Sequence, residues 1–345
     1  MLNFKKSLLQ FRPMCLALAG ALVVGLAPAA ANAADLRLKF AGTLPVEHQG
    51  TTMMKQIAKD IEAAGVGLKV SVFPANQLGS GEELLEDAIR GNVDLVMGFI
   101  YAHKDPVFEV NSMPYLVTSW DDMKSTVRDP KSAFNQIMGE GLTRVGLRML
   151  ANNPEGFSNL VAQKKPDNFA GVGPKNMNIR VWSSNAVNDT MKVLGFNTTT
   201  MAYAEIFAAV QSGVVDGAIC CTKQSADAIF AKSGVGKYFV DYNAFMELST
   251  FYVSEKSWKK MNEKQRAVVQ ATFDKAADEY FAWNRGNDEK FETELVKAGY
   301  TMLKPSADEI AALSAKVRET VWPSLVKVVG QDVIDRLQAD IGKKR

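Results

Sequence analysis

The chain has 345 residues, 47% hydrophobic and 23% charged, and its 40 basic against 38 acidic residues leave a formal charge of +2. That balance lacks the basic excess of a nucleic-acid or anionic-membrane binder, so no nucleic-acid partner is expected. The length suits about two domains, large enough to bury their cores without disulfide staples.

The N-terminus reads as a signal for export. Lys5, Lys6 and Arg12 precede an apolar run from about Met14 to Ala27, too short to span a bilayer comfortably, and Ala31-Asn32-Ala33 supplies the small-x-small pattern of a cleavage site. Cleavage is expected after Ala33, which makes residues 1–33 a signal peptide. Cys15 lacks a lipobox context. No later segment carries a membrane-spanning apolar run. Removing the leader's three positive charges leaves the mature chain near −1, with Cys220 and Cys221 as its two cysteines.

Beyond the leader, strand and helix patterns alternate. Leu36 to Ala41 predicts a strand. Gln49 to Ala63 predicts a helix with Met53, Ile57 and Ile61 on one face. Leu68 to Phe73 is a second strand, closed by Pro74. Ser80 has the N-cap chemistry for a helix, with Glu82 and Glu83 in its first turn, and Asp94 to Gly98 is a third strand. This βαβαβ start argues for a mostly parallel sheet with helices on both faces. Strand character resumes over 144–150, 158–162, 179–181 and 216–220, with helices over 185–194 and 203–212. From Asn262 to about Val296 no proline interrupts a pattern containing Ala267, Val268, Ala271, Phe273, Ala276, Ala277, Tyr280 and Phe281. Periodicity allows one long helix or two helices broken near Asn284-Arg285-Gly286.

Ligand sites in such folds lie at the carboxyl ends of strands, between domains. The loops after Ala41, Gly98, Val181 and Ile219 are therefore the candidate positions. Enzyme signatures are missing: there is no Gly-x-Ser-x-Gly elbow, no Cys-x-x-Cys, no His-Glu-x-x-His and no phosphate loop. The two histidines, His48 and His103, offer weak metal hints at best. The expectation is a binding protein, without cofactor or metal, rather than an exported enzyme.

Several segments in order then resemble one family. Phe73-Pro74-Ala75-Asn76-Gln77-Leu78-Gly79, Gly91-Asn92-Val93-Asp94 and Met113-Pro114-Tyr115-Leu116 are similar to the first-lobe signatures of TRAP-transporter solute-binding proteins, the extracellular solute-binding protein family 7 of dicarboxylate-binding type. Ile179-Arg180-Val181, Leu194-Gly195 and the run Tyr203 to Gly217 resemble the second-lobe signatures. Tyr252-Val253-Ser254 and Trp258 fit the segment before the family's long helix. The resemblance implies a two-lobed α/β periplasmic-binding-protein fold, type II-like, with a long helix bridging both lobes. It implies a monomeric periplasmic protein that closes over a small organic carboxylate and delivers it to TRAP membrane permease subunits. An ATP-driven importer or a sensor would use a similar fold. Lobe I is expected over 34–157 plus 247–285, and lobe II over 158–246 plus 286–345, with hinges near 156–158 and 246–250.

The family's characteristic arginine falls on Arg180, whose planar fork suits a carboxylate. Tyr203 falls where the family packs an aromatic on the ligand, and Glu205 belongs to the same motif. Trp182, two residues past Arg180, shares its face if the strand continues that far. His48 and Tyr101 lie in the candidate first-lobe loops. Two departures stand out. Gly156-Phe157-Ser158 lacks the second arginine that many members carry there, and Cys220 replaces an asparagine that helps hold the carboxylate. Both suggest a less polar ligand body, aromatic or branched aliphatic. Cys220 and Cys221 form either a vicinal disulfide walling the site or two buried thiols. An oxidising compartment favours the bond, while the short spacing of neighbouring residues opposes it.

Overall fold

Alternating burial makes the first strand, and a two-faced helix covers it. The computed structural model describes residues 35–342, so the predicted signal peptide and Cys15 lie outside the described residues. In β1 (Leu36–Gly42), Leu38 and Phe40 point into a core that α1 (Gln49–Ala63) closes with Met53, Ile57 and Ile61. Each such buried side chain stabilises by about 1.5–3 kcal/mol. Then come β2 (Leu68–Phe73), α2 (Gly81–Arg90) and β3 (Leu95–Gly98), with β1 parallel to both strands. Ser80 caps α2 in a reciprocal capping box with Glu83.

A 3-10 turn (Pro106–Ser112) and the helices α3 (Trp120–Met123) and α4 (Ala133–Arg144) lead into β4 (Leu147–Ala162). The second half of the chain continues through β5 (Asn178–Val181), α5 (Asn185–Val193), β6 (Asn197–Thr200), α6 (Ile206–Ser212), β7 (Gly217–Cys221) and α7 (Lys223–Ile229). It returns through β8 (Tyr238–Ser254), α8 (Glu255–Lys260), α9 (Glu263–Lys297), β9 (Thr301–Leu303), α10 (Ala307–Val329) and α11 (Gln331–Gly342). All strands join one sheet in the order β2-β1-β3-β8-β4-β7-β5-β6, with β9 beside β8.

Two strands hold the sheet together. β4 and β8 run antiparallel from Leu147↔Ser254 to Ala162↔Tyr238. One end of β8 pairs with β3, and its other end pairs with β9. The far end of β4 pairs with β7. Each wing of the two-lobed α/β architecture is thus built on one half of the same ladder. The register shifts between Pro154 and Gly156 and again between Ser158 and Leu160. Pro154 has no N–H to give the ladder, and Gly156 takes φ +130°, a value that side chains disfavour. The sequence read 144–150 and 158–162 as separate strands because this interruption breaks the alternation. In the fold they are one.

The long helix is also unbroken. α9 has 35 residues, about 52 Å at 1.5 Å per residue, and Gly286 lies within it facing open space. Asn262 caps it reciprocally with Gln265. Its buried face runs through Val269, Phe273, Ala276, Ala277, Tyr280, Phe281 and Asn284. Ala267 and Ala271 are exposed instead. Ion pairs tie α9 to both wings: Arg128 to Asp278 and Arg285 to Asp121 on one side, Lys223 to Asp288 and Glu292 on the other. The C-terminal helices, unassigned from sequence, pack back on the first half of the chain. Trp322 Nε1 donates to the Pro114 carbonyl at 3.1 Å, and Arg336 pairs with Glu140.

Candidate functional site

Arg180 sits in the middle of a parallel strand, paired with Thr199 of β6 and Ala218 of β7. A strand so enclosed buries its side chains on both faces, and Arg180 is only 3% exposed. Its Nε donates to the Met201 carbonyl at 3.0 Å and its Nη1 to the Ile219 carbonyl at 3.4 Å. No carboxylate among the described residues lies within 4.0 Å to form an ion pair with it. Burial lowers its pKa to about 10, so it remains cationic at neutral pH. A buried charge without a counter-charge is costly, and the fold holds this one beside a cavity.

That cavity offers about 80 Å³ of space open to water, enough for several waters. From the second half of the sheet, Arg180, Trp182, Tyr203 and Cys220 line it. Glu82 at the start of α2 and Phe99, Ile100 and Tyr101 after β3 line it from the first half. Met246, Glu247 and Leu248 of β8 form its floor, and Asn111 and Ser112 close one side. Contacts cross the gap. The rings of Phe99 and Tyr203 stand 5.8 Å apart, and Trp182 Nε1 donates to Ser112 Oγ at 2.9 Å. Tyr101 is set by a close approach, because a Cβ on Gly81 would lie 2.2 Å from its hydroxyl.

The model of the family described as bacterial extracellular solute-binding protein, family 7, matches residues 40–326. The chain belongs to that family. This solute-binding protein is similar to the C4-dicarboxylate-binding periplasmic protein DctP of Rhodobacter capsulatus, 24% identical over 300 residues, 85% of this chain and 84% of that one. It is similar to the ectoine-binding periplasmic protein TeaA of Halomonas elongata, 23% identical over 288 residues, 79% of this chain and 80% of that one. Its fold matches a TRAP periplasmic solute binding protein from Desulfovibrio salexigens with bound orotic acid, at TM-score 0.79 and 16% identity over 89% of this chain and 99% of that one.

Of the residues expected from sequence, the solute-binding protein brings Arg180, Trp182, Tyr203, Cys220 and Tyr101 to one cavity. Trp182 lines it although β5 ends at Val181. The others stand elsewhere. Cys221 lines a neighbouring cavity with Thr43, Pro45 and Phe230, and Tyr203 is shared between the two. The loop after Ala41 therefore faces that second cavity and not Arg180. Glu205 is exposed and takes the Ala202 N–H at 3.0 Å, capping its own turn. His48 caps α1, accepting the Gly50 N–H at Nδ1, and burial lowers its pKa to about 4. Phe157 packs on the core, and Ser158 donates to Glu247 from behind the cavity wall. Cys220 and Cys221 are joined as a vicinal disulfide, with Cα atoms 3.7 Å apart.

Sequence reasoning missed Glu82, Asn111, Ser112 and Glu247, and these make the cavity more polar than the two family departures suggested. One signal for Glu247 was legible: a lone carboxylate inside the apolar run Phe245-Met246-Glu247-Leu248. Burial pushes its carboxyl up to about 8. Glu155, across the ladder on β4 and hydrogen-bonded by Ser249 at 2.5 Å, is raised by burial to about 7.

Two measurements check this site. Between the ordinary carboxyl pKa and about 8, the folded state keeps a proton on Glu247 that the unfolded chain has released, so stability falls as pH rises through that window. Urea unfolding of the ligand-free protein should show a smaller loss from about pH 5 to about pH 8 in Glu247→Gln than in the native chain. An equal loss in both would place the titration elsewhere. Separately, the peptide carrying Cys220 and Cys221, alkylated after denaturation without reductant, should resist labelling and weigh two hydrogens less than the dithiol. Two labelled thiols would show an open pair.

Proposed function

We propose that the protein is the periplasmic binding component of a TRAP-type secondary transporter. It captures a small organic carboxylate between its lobes and passes it to the membrane permease. The observation that carries this reading is Arg180, a buried guanidinium lining a cavity and ion-paired with no carboxylate among the described residues within 4.0 Å. A ligand carboxylate would supply the missing counter-charge through two parallel hydrogen bonds. The relatives' names support the class, since the protein from Rhodobacter capsulatus is named for C4-dicarboxylates and the Desulfovibrio salexigens structure holds orotic acid. Tyr203, Trp182 and Tyr101 would pack on the ligand body, and Cys220 would present a polarizable sulfur.

We place the lobe boundaries at 157/158 and 246/247, in the short stretch of the β4–β8 ladder between the register shifts at Pro154/Gly156 and Ser158/Leu160. Lobe I would then hold Glu82, Phe99 and Tyr101, and lobe II Arg180, Trp182 and Tyr203, so closure assembles the cavity from both sides.

Mass spectrometry of the small molecule that co-purifies with the protein names a ligand for calorimetry. Arg180→Ala should weaken its binding by about 2–5 kcal/mol, the range for removing one partner of a buried charge pair. Arg180→Lys should also bind poorly, because a point charge lacks the bidentate fork. Unchanged affinity in both variants would sink the clamp. Small-angle scattering should show compaction when this ligand is added to protein stripped of it, and identical curves would reject closure.

A further inference from the structure

The cavity around Arg180 is lined by ionisable groups of both kinds that form no ion pair with each other. Glu247 and Glu82 share its wall with the guanidinium, yet neither forms an ion pair with it within 4.0 Å. Glu247 is 8% exposed, and the hydroxyl of Ser158 donates to its Oε2. Asn111 adds a buried Oδ1 with no hydrogen-bond partner. The lining of the cavity thus carries one cationic donor, Arg180, and two carboxyls that it does not pair with.

A plain monocarboxylate would satisfy Arg180 only. It would leave Glu247, which burial keeps protonated, and Glu82 without a cationic partner. We propose that the ligand carries, besides its carboxylate, a protonated nitrogen (an amine or amidinium), received by Glu247 and Glu82 while Arg180 takes the carboxylate. This rests on the reading of the cavity as a carboxylate site and narrows the ligand within it. Three further features agree. The unpartnered Asn111 oxygen needs an N–H or O–H donor. An aromatic lining of Phe99, Trp182 and Tyr203 suits a nitrogen cation better than a second anion. Burial outweighs the pull of Arg180 and raises the Glu247 carboxyl to about 8, so the guanidinium does not supply the cation this carboxyl lacks.

The test uses matched carboxylate probes on ligand-stripped protein: phenylalanine, phenyllactate and phenylpropionate; proline and cyclopentanecarboxylate; the aminobutyrates and butyrate. Thermal shift finds the binding set and calorimetry measures each member. The nitrogen-bearing member should bind at least about tenfold more tightly than its isosteres, a difference of about 1.4 kcal/mol. Glu247→Gln and, independently, Glu82→Gln at the helix start should erase that preference, bringing the members of each set to similar affinity. Arg180→Ala should weaken every member. Equal binding within a set, a preference for the hydroxy acid, or a preference that survives both glutamine variants overturns the inference and leaves the carboxylate reading intact. If no member of any set binds, the co-purified ligand decides: a carboxylate without a protonated nitrogen overturns the inference alone, and a ligand without a carboxylate overturns the carboxylate reading with it.

Discussion

Everything in this molecule hangs on the ladder between β4 and β8. The two strands are the only elements of the described sheet that run through both wings, and they set where every other strand can attach. β3 joins one end of β8, while β7 joins the opposite end of β4. The same ladder carries Met246, Glu247 and Leu248 to the floor of the cavity and holds Ser158 behind Glu247. Its weak point is local and chemical. Pro154 withholds a donor, and Gly156 adopts a backbone angle that a side chain would strain. The spine is therefore continuous, with a built-in irregularity where the wings meet.

α9 complements the ladder from outside. An isolated helix of this length gains little from propensity alone, and tertiary packing of one face supplies most of its stability. That face includes Phe273 and Tyr280 against the first wing. Beyond it, Lys223 of the second wing reaches Asp288 and Glu292. The exposed pair of Arg285 with Asp121 adds little, because solvent screens it. Lys223 is better shielded, and so is Arg128, which ties the first wing to Asp278.

The electrostatics of the cavity follow from the same architecture. A strand in the sheet interior buries Arg180, and the crossing ladder buries Glu247 nearby without letting the two touch. Burial then works on them in opposite directions on the pH scale, down for the guanidinium and up for the carboxyl, each toward its neutral form. The disulfide of Cys220 and Cys221 lies on the boundary between this cavity and its neighbour, one sulfur residue on each side.

Local chemistry was readable in the sequence. Helical spacing marked Met53, Ile57 and Ile61, cap chemistry marked Ser80, and strand patterns marked β1 and β2, because these depend on neighbours along the chain. Motif order pointed to the family, and with it to Arg180, Trp182, Tyr203, Cys220 and the loop holding Tyr101. What the sequence left open depended on distant partners. Pro154 and Gly156 look like the end of a strand until β8 pairs across them, and Gly286 looks like a helix break until the flanking turns are held by both wings. His48 and Glu205 looked like site residues because capping and ligand contact use the same polar atoms; only the packing of α1 and of the Tyr203 turn assigned them to caps. Glu82, Asn111 and Glu247 come from three separate segments, and it took the folded chain to bring them to one cavity, since nothing in local spacing records which polar group will line a site with which buried cation.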